Sequence, residues 1–343
     1  MNLRLVARAG ICALAFLVAL APSAAASKPG PGTSTGTGRV FLPNPVAALQ
    51  DQSLTDQKDA DYAALQPAYR VVTLTNLDGS GSLRGDWANV VSETGDPAYS
   101  PDNTFLYGRT DDRFEQVMAY YWVTEAQKYI QNLGFGTTLR PINMESQDVR
   151  INQWGLDNSF SWDKKDLLRF GKGGVDDAED AEVILHEYGH AIQDSQQTPF
   201  GGFGASAEAG AIGEGFSDYW AVTVSAVIAP TPDPACVADW DSVSYTSNVP
   251  HCLRRVDLDL HYPEDLNGRV HHDGQIWSRA LWDIRSSLGN VRADTIILEA
   301  QFDFALDTSM PAAANATVAA AERLYGKNVA KIVRAAFQTR GIL

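Results

Sequence analysis

Three residues in the stretch Ala181–His190 (AEVILHEYGH) have the types and spacing for metal chemistry: His186, Glu187 and His190. In a helix, side chains four positions apart lie on one face. Two imidazoles so placed can hold one zinc ion. Glu187 is turned about a quarter turn away, beside the metal rather than on it. There a carboxylate can take a proton from a water at the metal. Ala181, Val183, Ile184, Leu185, Tyr188, Ala191 and Ile192 make the segment nearly all apolar, which predicts a buried helix. A buried helix with two histidines and two glutamates needs a compensating charge, and a cation supplies it.

Two histidines leave zinc under-coordinated. Catalytic zinc takes three protein ligands and keeps one open position, whereas structural zinc takes four. Downstream, Glu208 to Trp220 (EAGAIGEGFSDYW) puts Glu214 and Asp218 one turn apart on a second apolar helix. One can complete the metal site. The other can accept a hydrogen bond from a ligating imidazole, which fixes its tautomer and raises its basicity.

The chain of 343 residues has to position these groups. Its first 26 residues read as a secretory signal peptide: Arg4 and Arg8, an apolar run from Ile11 to Leu20, and Ala24-Ala25-Ala26 before Ser27. The apolar run is too short to span a membrane. Removing Arg4 and Arg8 takes the formal charge from −15 to −17, against nucleic-acid binding. Cys12 leaves with the signal, and Cys236 and Cys252 remain as an even pair in an exported chain, which predicts a disulfide.

Lys28 to Gly38, rich in Gly, Pro, Ser and Thr, reads as a flexible leader. Arg70 to Asn76 reads as a strand that turns at Asp78–Gly81 into a second strand, Leu83 to Val91. Asp111 to Leu133 has helical periodicity. Asp148–Gln153 and Asn158–Trp162 read as short strands. Asp176, Asp177, Glu179, Asp180 and Glu182 form an acidic cluster that calcium ligation or, equally well, a solvated helix N-terminus favoured by the dipole would explain. Calcium is a further candidate ion, though no ligand spacing supports it. Beyond residue 200 the candidates are helices: Ala207–Ile228, Asp273–Leu288, Asp294–Leu306, Ala312–Leu324 and Asn328–Thr339. Strands first and helices second predict an α+β fold of two lobes, residues 27–200 and 201–343.

HEYGH followed by E-A-G-A-I-G-E-G-F-S-D resembles the thermolysin-like metallopeptidases, and most closely their fungalysin-like branch. The resemblance covers roughly Gln147 to Leu343. It implies a bilobal fold with zinc in the cleft between a β-rich and a helical lobe. It implies Glu214 as third ligand and Asp218 as support for a zinc histidine. Asn158-Ser159-Phe160 stands where that family has an edge strand holding the substrate chain, so Asn158 and Ser159 are candidate substrate contacts. His271, after Val270, stands where the family has a histidine that stabilises the oxyanion, and Asp265 is a candidate to orient it. Gly213 replaces an asparagine that bonds the other zinc histidine, a place a backbone carbonyl could take. Arg254, Arg255 and Arg269 are candidates to grip a substrate carbonyl. The resemblance also implies a hydrophobic residue after the scissile bond.

The expectation is a secreted, monomeric zinc endopeptidase acting on proteins or peptides, with no nucleic-acid or, once the signal is removed, membrane partner. Glu187 is its general base and His271 its oxyanion donor. One rival is a zinc aminopeptidase. Ile142–Ser146 lacks the glycine and final asparagine of the G-x-M-E-N stretch that such enzymes use to hold a free amine. The other rival is a non-catalytic secreted binding protein containing zinc, which would favour a closed site of four protein ligands.

Overall fold

A computed structural model of the protein describes residues 34–90, 95–196 and 205–343. The expected signal peptide, the first part of the leader and the expected boundary between residues 200 and 201 lie outside them. The chain opens with strand β1 (Ser34–Phe41), short helix α1 (Pro45–Leu49), β2 (Tyr69–Leu77), β3 (Ala88–Val90) and β4 (Thr104–Phe105). Helix α2 (Arg113–Asn132), β5 (Gln147–Arg150), β6 (Phe160–Trp162) and β7 (Leu167–Arg169) lead to α3 (Ala181–Gln196). Then come α4 (Ala207–Ile228), β8 (Cys236–Val237), β9 (Arg254–Arg255), α5 (Val270–Leu288), α6 (Asn290–Gln301), α7 (Met310–Tyr325) and α8 (Lys327–Thr339). The arrangement is α+β, with the larger sheets before α3 and mostly helices after it.

The expected leader is partly wrong: Ser34–Gly38 is the start of β1, which pairs antiparallel with β2 and parallel with β4. Its glycines serve close approach rather than flexibility. A β-carbon on Gly36 would stand 2.5 Å from the Asn103 carbonyl oxygen, and one on Gly38 would stand 2.7 Å from Val117 Cγ1. The expected hairpin is also corrected. The partner of β2 is β1, while β3 joins a second sheet ordered β3-β5-β7-β6. In that sheet β3, β5 and β7 run parallel and β6 is antiparallel at one edge. The Arg169 guanidinium lies 4.7 Å over Trp154 and 5.2 Å over Phe160, which braces β6.

Helix α2 is buried continuously from Phe114 to Thr124, because β1 packs on one side and α3 on another. Asp294 on α6 accepts hydrogen bonds from Tyr129 on α2 and Tyr219 on α4, tying three helices together. No helix among the described residues is long and apolar enough to cross a membrane. The predicted disulfide Cys236–Cys252 is formed, and β8 and β9 pair beside it.

The acidic run before α3 is not solvated. Asp176, Asp177, Glu179, Asp180 and Glu182 are all buried, because residues 235–245 cover the start of the helix. Asp180 accepts the backbone amides of Trp240 and Asp241 and the Asn44 amide. Glu182 accepts Ser225 Oγ at 2.6 Å and the Ala238 amide at 2.8 Å. Glu179 takes Arg109 Nε at 2.9 Å and Trp240 Nε1 at 3.0 Å. Arg109, itself buried, also binds Asp56 and the Ala60 carbonyl. Removing one partner of a buried ion pair leaves the other charge uncompensated. Arg109→Met is therefore expected to lower stability by about 3–5 kcal/mol, read as a lower urea midpoint. An unchanged midpoint would contradict it.

Candidate metal centre

Two helices make the centre. Helix α3 has no charged residue between Glu187 and Asp194 except His190, and its apolar residues bury it on both sides. Ser206 caps α4 by accepting the Ala209 amide, and α4 is buried from Ala209 to Ser225. The two helices touch at Gly189, where a β-carbon would stand 2.8 Å from Ser217 Oγ and 2.9 Å from Ser217 Cα. Helix α5 reaches α4 in the same way: a β-carbon on Gly215 would stand 2.2 Å from the Gly274 carbonyl oxygen. These contacts bring Glu214 and Asp218 under the histidines and put His271, in the first turn of α5, opposite them.

His186, His190 and Glu214 each aim a donor atom at one point, and the three atoms lie within 4.8 Å of one another. Glu214 Oε2 is 3.2 Å from His186 Nε2, 3.8 Å from His190 Nε2 and 3.3 Å from His271 Nε2. It is buried and has no hydrogen-bond partner among the described residues. Two imidazoles and an orphaned buried carboxylate oxygen, converging, fit a tetrahedral cation such as zinc.

Electrostatics supports the same reading. Burial would push the Glu214 carboxyl up, yet the histidines hold it well below the usual carboxylate range. Burial pulls His186 down, but Asp218 and Glu214 outweigh it and push it up to about 10. The surroundings thus demand positive charge between these side chains. Glu187 beside them is pushed up by burial, against the pull of both histidines. A carboxyl raised in this way is a better proton acceptor.

Asp218 lies beside His186. Its Oδ1 is 2.9 Å from His186 Nδ1, which leaves Nε2 for the metal. The sequence reading missed what holds Asp218. Arg254 donates Nε to Oδ2 at 2.6 Å and Nη2 to Oδ1 at 2.7 Å. Of the three candidate arginines, only Arg254 lines the cleft. Arg255 pairs with Asp233 and Asp257 instead, and Arg269 precedes α5 as its cap residue. Two further expectations fail. Asp265 accepts the His261 amide at 2.7 Å rather than orienting His271, because its loop folds back on itself. No backbone carbonyl accepts His190 Nδ1, which is buried without a partner among the described residues.

Asn158 and Ser159, just before β6, line the cleft with His186, Glu187 and His271. The outer edge of β6 is open to pairing, since β7 occupies its other edge. Asp157, Asp241 and Tyr245 also belong to this region and went unrecognised in the sequence. Asp157 adjoins the Asn158-Ser159 pair, which is the one cue that could have found it.

A model of the family described as fungalysin metallopeptidase (M36) matches residues 79–292, more than half of the chain. A gelatinase of Enterococcus faecalis is 27% identical over 205 residues. That match takes in 54% of this chain, and the chain spans only 38% of the gelatinase's length. Among solved structures, the precursor of protealysin, a metalloproteinase from Serratia proteamaculans, superposes with a TM-score of 0.59 at 19% identity. The superposition covers 75% of this chain and 88% of that one, a likeness of fold.

A carboxylate that fixes a ligand histidine typically contributes 10–100-fold to metal affinity. Asp218→Asn is expected to weaken metal binding by about that factor, measured by competition with a chromophoric chelator. Equal affinity in a folded variant would contradict the role.

Proposed function

The chain belongs to the fungalysin metallopeptidase family, and from that premise we propose that it is a secreted zinc endopeptidase acting on proteins or peptides. The observation that carries this reading is the convergence of His186, His190 and Glu214 donors beside a buried Glu187 and an open cleft edge. Secretion rests on the signal-like first 26 residues.

His186, His190 and Glu214 would hold the zinc ion. When bound, zinc supplies a Lewis acid that polarises the substrate carbonyl and lowers the pKa of a water toward ~7. The chain's own groups do the rest. A substrate in extended form adds along the free edge of β6, with Asn158 and Ser159 beside its backbone. Glu187 takes the proton from the attacking water and delivers it to the leaving amine. His271 Nε2 donates to the carbonyl oxygen as that oxygen gains charge. Burial pulls His271 down in pKa, which favours the neutral imidazole. Arg254 and Asp218 keep His186 in the tautomer that offers Nε2.

Glu187→Gln removes the proton acceptor and keeps the shape. It should retain one zinc per chain and lose about 10²–10⁴-fold in kcat, read by zinc content and by digestion of a protein mixture with mass-spectrometric mapping of cuts. Wild-type cleavage by this variant would sink the mechanism. Failure of the wild type to cut acetyl-capped peptides would favour an aminopeptidase. No hydrolysis at full zinc occupancy would favour a binding protein.

His271→Phe removes one donor to the oxyanion. It should lower kcat by about 10²–10³ with a much smaller change in KM. A loss confined to KM would assign His271 to binding instead.

A further inference from the structure

Two hollows meet at His186, Glu187 and His271. One follows β6 past His190 and Asp194. The other has apolar walls from Val183, Val237 and Leu253, and carries Asp177 and Asp241. Asp157, Asp177 and Asp241 each present an oxygen there, and these oxygens lie within 4.8 Å of one another. Asp177 Oδ1 and Asp241 Oδ1 are buried and have no hydrogen-bond partner among the described residues. Asp177 and Asp241 are 3% and 4% exposed. Hydroxyls serve only part of the group: Ser159 donates to Asp177 Oδ2, and Tyr245 to Asp157 Oδ1. The guanidinium lining this hollow, Arg254, has its Nε and Nη2 committed to Asp218.

We propose that this compartment is a subsite for a Lys or Arg side chain next to the scissile bond. The proposal rests on the peptidase reading above and names its side-chain preference. The aliphatic stem lies against Val183, Val237 and Leu253, and the charged head reaches Asp177 and Asp241. Basic side chains have this division into an apolar stem and a charged end. A hydrophobic side chain would suit the walls but leave two buried carboxyls unpartnered, which costs free energy. An inorganic cation would suit the carboxylates but have no use for the apolar walls.

The acidic end is pre-built. Asp241 lies in the segment closed by the Cys236–Cys252 disulfide and the β8–β9 pairing. Its backbone amide is held by Asp180, at the buried start of α3. Burial, then the neighbouring carboxylates, push Asp241 well above the usual range, and burial pushes Asp177 up to about 7. A cation between them offsets that penalty.

The test uses the full zinc-loaded chain. Wild-type protein digests a peptide library, and both residues flanking each cut are read. Lys or Arg is expected to be enriched at one of the two positions. For matched substrates with lysine or norleucine there, which differ in the ammonium head, the ratio of kcat/KM values should favour lysine. Asp241→Asn should reduce that ratio about tenfold or more, and Asp177→Asn serves if the first variant does not fold. Cuts beside apolar residues alone, or an unchanged ratio in a folded variant, would overturn the proposal. So would a second equivalent of divalent metal that disappears in Asp241→Asn, since the carboxylates would then hold an ion. Binding to the Glu187→Gln chain, read by fluorescence polarisation, decides the subsite without turnover. Tighter binding of the lysine peptide supports it, and equal binding rejects it. Absence of cleavage by wild type counts against the peptidase reading itself.

Discussion

The centre depends on how closely α3 and α4 approach. The two imidazoles stand on one helix and the carboxylates of Glu214 and Asp218 on the other. They can converge because Gly189 has no side chain where Ser217 presses against it. Protein interiors are close-packed and transmit such a contact directly. A methyl group there would push the helix axes apart and open the space between His186 and Glu214. Gly215 and Gly274 repeat the device between α4 and α5, which sets His271 over the site. The glycine inside HEYGH thus belongs to packing, while its neighbours belong to chemistry.

Burying α3 creates an electrostatic problem at its start, where four acidic side chains lie within six residues, Asp177 to Glu182. The solution is structural. Glu179, Asp180 and Glu182 become acceptors for Arg109, Trp240 and the amides of residues 238–241. The bonds from Ala238, Trp240 and Asp241 also fasten the disulfide-clipped segment onto the helix. Two residues past Cys252, Arg254 grips Asp218, which in turn fixes His186. The His186 tautomer is therefore set by Asp218, which is held by an arginine that the β8–β9 pairing keeps in place.

How much of this was legible in the sequence follows from range. His186, Glu187 and His190 are read from helical spacing, because four residues always make one turn. Glu214 and Asp218 are also local, but spacing alone left open which was the ligand. The family resemblance points to Glu214, and its carboxylate lies with the donor atoms of His186 and His190 in a group that could hold a metal ion. The helices after residue 205 are periodic, and their bounds are close except for α6, expected at Asp294–Leu306 and found at Asn290–Gln301. Residues 34–38 were misread because glycine needed for close approach looks in composition like glycine used for flexibility. The acidic run was misread because nothing within it shows that residues 235–245 fold over it. Arg254 could not be chosen from three arginines without knowing which faced Asp218.

The same distinction separates the chemistry of the cleft from its preference. The metal donors come from two helices that lie within the family match over residues 79–292. The second compartment is assembled from Asp157, Asp177, Val183, the 237–245 segment and Leu253. These come from separate stretches of the chain. Yet both ends of the cleft obey one rule. A cation between buried carboxyls that face each other offsets the cost of ionising them. At Glu214 the histidine geometry selects a metal ion. At Asp177 and Asp241 the apolar walls select a cation with a hydrocarbon stem, and that choice separates this chain from a family expected to prefer hydrophobic residues.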